Sequence, residues 1–106
     1  MEWVASEPLV QELNRNPNTV DRRSANTLLM FAAFLAHPSA SALSFAEIFA
    51  RRYGLGKVDA LHLATAQELG CDWLLTVDDR FLNASQRIAG LRVLVVNPID
   101  FVTRTL

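Results

Sequence analysis

The chain has 106 residues, with 10 Lys and Arg against 11 Asp and Glu, a net charge of -1 and 51% apolar residues. That length holds one domain around one core and excludes a multidomain enzyme. The balanced charge excludes a bulk pull on polyanions, so any nucleic-acid contact must come from a local patch.

The mean hydropathy of +0.18 is high for a soluble domain. It predicts apolar surface beyond the core, and with it self-association or a partner. Cys71 stands alone, so there is no internal disulfide, and no His/Cys cluster gives it metal-site spacing. This use of cysteine fits a reducing cytoplasm. The longest unbroken apolar run, Leu28 to Ala36, falls well short of the roughly 18–20 residues a membrane span requires. The segment Met1-Glu2-Trp3-Val4 lacks a basic region followed by an apolar stretch, so no signal peptide is expected.

Residues 2–5 read as a short strand. Ser6 then caps a helix that turns Leu9, Val10 and Leu13 inward. Asn14-Arg15-Asn16-Pro17-Asn18 is a turn cluster, because asparagine tolerates left-handed backbone and proline disfavours helix at the residue before it. From Val20 to Ala36 the chain is apolar on most sides after Asp21-Arg22-Arg23, as in a helix wedged into a core or an interface, and His37-Pro38 ends it.

Ser39 to Leu43 is weakly patterned and is read as a short strand. Ser44 with Glu47 three residues on forms a capping box, starting a helix to about Tyr53. Gly54 and Gly56 permit a reversal before a helix from Lys57 to Leu69, closed by Gly70. Trp73 to Val77, bounded by Asp72 and Asp78, has the continuous apolar character of a buried parallel strand. A helix over Asp79 to Gln86, a strand over Arg92 to Val96 and a short helix opened by Pro98 complete the chain. Alternation of strands and helices predicts a parallel sheet covered on both faces. Ligands of such sheets bind beyond the carboxyl ends of the strands, where Asp78 would lie.

Three carboxylates far apart in sequence, Glu12, Asp59 and Asp78, are the candidate site. Asp59 opens a helix so apolar that it must be largely buried, where an unpaired carboxylate is costly; complementing the helix dipole is an equally simple role for it. Asp78 can serve as the N-cap of the helix that follows, with Asp79 beside it as the acid that faces a site or the one that caps. Glu12 alone reads as a solvated helix residue. Taken together, acids that share a site repel one another unless a cation offsets their charge, and hard oxygen donors favour Mg²⁺ or Mn²⁺. Such an ion supports metal-assisted phosphodiester hydrolysis.

Other signals are weaker. His62, three residues after Asp59, reads first as a packed core histidine. Gly54-Leu55-Gly56 matches no phosphate-binding loop. The Arg22-Arg23 and Arg51-Arg52 pairs read as solvated, although they could touch phosphates.

The block Lys57-Val58-Asp59-Ala60-Leu61-His62-Leu63-Ala64-Thr65-Ala66 and the later Leu74-Leu75-Thr76-Val77-Asp78-Asp79-Arg80-Phe81-Leu82 resemble the second half of a PIN domain, the fold of the VapC toxins of bacterial toxin–antitoxin pairs. Ser6-Glu7-Pro8-Leu9-Val10-Gln11-Glu12-Leu13 resembles the earlier segment that supplies the family's second acid, and Asn97-Pro98-Ile99-Asp100-Phe101 resembles the ending of one subgroup.

The resemblance implies a three-layer α/β/α domain over residues 1–106 with a parallel central sheet. It places Glu12, Asp59 and Asp78 as the second, third and fourth metal-site acids, with Ser6, Thr76 and Asp79 in support. It also implies Mg²⁺- or Mn²⁺-dependent ribonuclease activity, an antitoxin-like partner and a homodimer. The nucleic-acid-binding residues are not identified by it.

A PIN domain opens with a central strand bearing an Asp-x-Asn-like motif, and no such motif precedes Ser6 here. The expectation is therefore an N-terminally truncated domain with its activity reduced or lost. A vacated sheet position would leave strand edges unpaired, to be covered by rearrangement or, as preferred, by a dimer. A catalytically inactive interaction domain is the alternative function.

Overall fold

The computed structural model describes residues 3–5 and 22–105. The helix proposed for residues 6–14, the turn cluster at 14–18, and the site candidates Ser6 and Glu12 lie outside the described residues. In chain order the elements are β1 (Trp3–Ala5), α1 (Arg22–Ala36), α2 (Ala40–Tyr53), α3 (Lys57–Glu68), β2 (Trp73–Leu75), α4 (Asp79–Ser85), β3 (Leu94–Val96) and α5 (Pro98–Thr105).

The three strands form one parallel sheet in the order β1-β2-β3. Trp3 pairs with Trp73 and Ala5 with Leu75 on one side of β2; Trp73 pairs with Leu94 and Leu75 with Val96 on the other. Because side chains alternate along a strand, this register sorts the sheet into two faces. Val4, Leu74 and Val95 join the main core, together with Phe31 of α1, Leu63 of α3 and Phe81 of α4. Ala5, Leu75 and Val96 form a second cluster, against which Phe101 of α5 packs. The fold is thus α/β with helices on both faces of a parallel sheet. On the second face the Phe101 ring lies 6.0 Å from Trp3 and 5.5 Å from Trp73, centroid to centroid.

The unpaired edges anticipated beside a vacated sheet position are absent around β2, which is paired on both sides within this chain. Among the described residues, the only open edges are the outer ones of β1 and β3.

The segment Ser39 to Leu43 is not a strand. Ser39 is the N-cap of α2, its Oγ accepting the Ala42 N–H at 3.0 Å. The same hydroxyl donates to the Glu68 carboxylate near the end of α3, 2.7 Å from Oε1 and 2.8 Å from Oε2. The capping box predicted at Ser44 is overturned because Ser39 offers the same local chemistry one turn earlier and adds this link between helices. Glu47 instead pairs with Arg51 at 2.8 Å, one turn on and exposed to solvent.

Helix α2 ends at Gly54, whose φ of 71° is the left-handed conformation that lets its N–H reach the Ala50 carbonyl. The predicted strand over Trp73 to Val77 is shorter, ending at Leu75. Thr76 is still buried and still donates its N–H to the Val96 carbonyl at 2.9 Å, while Val77 turns out to solvent. The last strand likewise begins at Leu94 rather than Arg92.

The apolar excess is visible on the surface. Leu29, Met30 and Phe34 on α1, and Leu43, Phe45 and Ile48 on α2, are exposed. No single helix among the described residues is long and apolar enough to cross a membrane.

The two capping readings make opposite forecasts. Ser39→Ala should cost about 1 kcal/mol, the usual loss when an N-cap hydroxyl is removed. Ser44→Ala, on the exposed face of α2, should change stability by less than about 0.5 kcal/mol. Urea unfolding midpoints of the two variants decide between them.

Candidate active site

The carboxyl end of β2 and the start of α3 open onto one cleft of about 620 Å³, lined by Gly54, Leu55, Gly56, Asp59, Asp78, by Arg80, Phe81, Asn83 and Ala84 on α4, and by Arg87 just past its end. Two of the three sequence-predicted acids, Asp59 and Asp78, therefore share a wall. The third, Glu12, lies outside the described residues.

Each acid is placed by local backbone chemistry. Asp59 sits in the first turn of α3, whose N-cap, Gly56, offers no side-chain hydrogen bond. A Cβ on Gly56 would stand 4.0 Å from Asp59 Oδ2, so this carboxylate lies back over the helix start. Asp78 follows the strand and caps α4, with Oδ1 accepting the N–H groups of Arg80 at 3.0 Å and Phe81 at 3.3 Å. Its own N–H donates to Thr76 Oγ1 at 3.1 Å, so the buried Thr76 orients the backbone that carries the acid. Asp79 is exposed in the first turn of α4 and does not line the cleft. The capping role weighed for Asp78 is thus observed alongside its cleft position, and only Oδ1 is used for it.

Burial pushes the Asp59 carboxyl above its ordinary value; the negative charge of Asp78 pushes it further, and His62 partly offsets both. His62 itself is a core residue. Its ring is buried against Phe31, with centroids 5.7 Å apart, and Nδ1 lies 2.7 Å from the Val58 carbonyl.

Asp59, its ionised form disfavoured by burial and by Asp78, makes with that acid the donor pair a hard divalent cation would relieve. In kind, then, they fit a Mg²⁺ or Mn²⁺ site. In number they supply part of one, since no group of three His, Cys, Asp or Glu side chains among the described residues could hold a metal ion.

Arg80, Asn83 and Arg87 went unremarked in the sequence. Their spacing of three and four residues, directly after a candidate acid, was the available signal: Arg80 and Asn83 share one side of α4, and Arg87 follows in the turn just past its end. The arginine pairs that drew notice instead were adjacent residues, which do not share a side.

The raised Asp59 carboxyl has a stability consequence of definite sign. The folded protein keeps this proton at a pH where the unfolded chain has released it. The group's favourable contribution is therefore present below the ordinary aspartate value of about 4 and is lost as pH rises through the raised folded value. Asp59→Asn should accordingly raise the thermal midpoint at neutral pH in metal-free buffer. The gain should shrink towards zero as pH falls to about 4. Melts in EDTA across that range check it, and a neutral-pH loss of stability would contradict the repulsion.

Comparison with known proteins adds a family. No curated protein and no solved structure matches the chain. The family model described as the PIN domain matches residues 2–86, a span that includes both cleft acids and all of the sheet but β3. The chain belongs to the PIN domain family.

Proposed function

We propose that the chain is a divalent-metal-dependent endoribonuclease domain of the VapC type, with Asp59, Asp78 and Glu12 as its metal-site acids. PIN domains are nuclease-type domains in general and generally use divalent metal ions. The observation that carries the finer reading is the meeting of Asp59 and Asp78 at the carboxyl edge of the sheet. The Asp-Ala-Leu-His and Thr-x-Asp blocks support the VapC type, and the single cysteine supports a reducing cytoplasm.

Asp78 lines the cleft with Oδ1 engaged in the helix cap and Oδ2 left out of that cap. Asp59 offers a carboxylate whose ionised form burial and Asp78 disfavour, and which a cation would favour. A bound Mg²⁺ or Mn²⁺ would supply an activated water and offset charge building on the phosphodiester. Thr76 holds the Asp78 backbone in register with the strand end.

The test is cleavage of single-stranded RNA with Mg²⁺ or Mn²⁺, against EDTA. Asp59→Asn and Asp78→Asn are the informative variants, because asparagine retains N-cap ability at position 78 while losing the charge. Each should lower the rate by at least about 100-fold, a few kcal/mol of charge stabilisation. Absence of metal-dependent cleavage, or cleavage indifferent to both substitutions, would remove the enzymatic reading.

A second reading is favoured by the exposed apolar side chains of α1 and α2, namely a domain that works through a homodimer or an antitoxin-like protein partner. Light scattering is expected to give a dimer mass, and Leu29→Glu with Phe45→Glu is expected to give a folded monomer. A monomeric wild type at micromolar concentration would count against self-association.

A further inference from the structure

Along α4 and just past its end, Arg80, Asn83 and Arg87 line the same cleft as the two acids. Arg80 and Arg87 are solvent-exposed, and neither guanidinium makes an ion pair within the described residues. Arg51, by contrast, is paired with Glu47. In a chain of net charge -1, two uncommitted arginines facing one cleft form the local basic patch that polyanion binding requires. Arg80 stands in the first turn of α4 and Arg87 two residues past its last, so the pair brackets a helix whose 7 residues rise about 10 Å, a length that spans more than one phosphate of a nucleic-acid strand. Guanidinium groups grip phosphate oxygens in a bidentate manner. Asn83, between them, carries a donor and an acceptor on one amide, which matches the ribose 2′-hydroxyl.

We propose that Arg80, Asn83 and Arg87 form the substrate-seating wall of the cleft, binding the backbone of single-stranded RNA through successive phosphates beside Asp59 and Asp78. The proposal rests on the nuclease reading, and its test separates the two.

Binding is measured by fluorescence anisotropy with a short labelled single-stranded oligoribonucleotide and the full chain in EDTA, so that no cleavage occurs, over a series of salt concentrations. The double variant Arg80→Gln/Arg87→Gln is expected to weaken binding at low salt by at least 10-fold and to flatten the salt dependence by about 0.7 in logarithmic slope per lost phosphate contact. Arg52→Gln, on α2 and not among the residues lining the cleft, is expected to bind as the wild type does. Asn83→Ala is expected to narrow the preference for RNA over DNA of the same sequence. Asp59→Asn is expected to bind RNA at least as tightly as the wild type.

Unchanged affinity and slope in the arginine double variant, while Asp59→Asn abolishes cleavage, would overturn the seating wall and leave the nuclease intact. An equal loss in Arg52→Gln would also overturn it, by showing that overall charge alone governs binding. Loss of binding in the double variant with cleavage indifferent to Asp59→Asn would support the wall while removing the nuclease reading. Far-ultraviolet circular dichroism of each variant verifies that the fold is kept, which the exposure of both arginines favours.

Discussion

The structure hangs on the pairing of β2 with strands on both sides. Trp73–Leu75 is short, yet its backbone is bonded to β1 and β3, and Leu74 at its centre is fully buried. A buried backbone without partners would be costly, so this ladder decides where the chain may leave the sheet. It leaves at Thr76, whose N–H still bonds to Val96 and whose hydroxyl receives the Asp78 N–H. The position of Asp78 at the mouth of the cleft follows from those two bonds.

The site shows how a structural and a chemical duty can share one side chain. Asp78 satisfies two otherwise orphaned amides at the start of α4 with a single oxygen, which leaves its second oxygen and its charge available. Asp59 sits where a helix dipole welcomes a carboxylate, but partial burial and the neighbouring acid work against its ionisation. The alternatives posed for these residues, cap or dipole against site, are therefore compatible. Both acids line one cleft, and the opposition between their charges is one that a bound cation would relieve.

The helices divide the labour differently. Helix α3 is buried along most of its length, with Ala60, His62, Leu63, Ala64, Thr65 and Ala66 all inside, and it fixes Asp59 firmly to the core. Helices α1 and α2 bury few residues and expose large apolar ones. Helix α4 is short, anchored by Phe81 and Ala84, and turns Arg80 and Asn83 to the cleft. A rigid acid-bearing helix beside a polar wall is the arrangement a positioned phosphodiester would need.

Read by itself, the sequence determined the α/β class, the parallel character of the sheet, the buried α3 and the identity of two cleft acids. Their signals are local: a continuous apolar run at Trp73 to Val77, a carboxylate at the head of an apolar helix, and another directly after a strand. Only the tertiary structure decided the rest. The start of α2 depended on Glu68, 29 residues from Ser39 in sequence, and no local pattern separates Ser39 from Ser44 without that partner. The direct pairing of β1 with β2 joined segments 70 residues apart, Trp3 to Trp73, so the strand order was invisible to spacing. The residues Arg80, Asn83 and Arg87 that line the cleft are close in sequence, but exposed arginines acquire meaning only from what they face. That is set by where α4 packs beside β3, a matter of packing between elements that no single stretch of residues encodes.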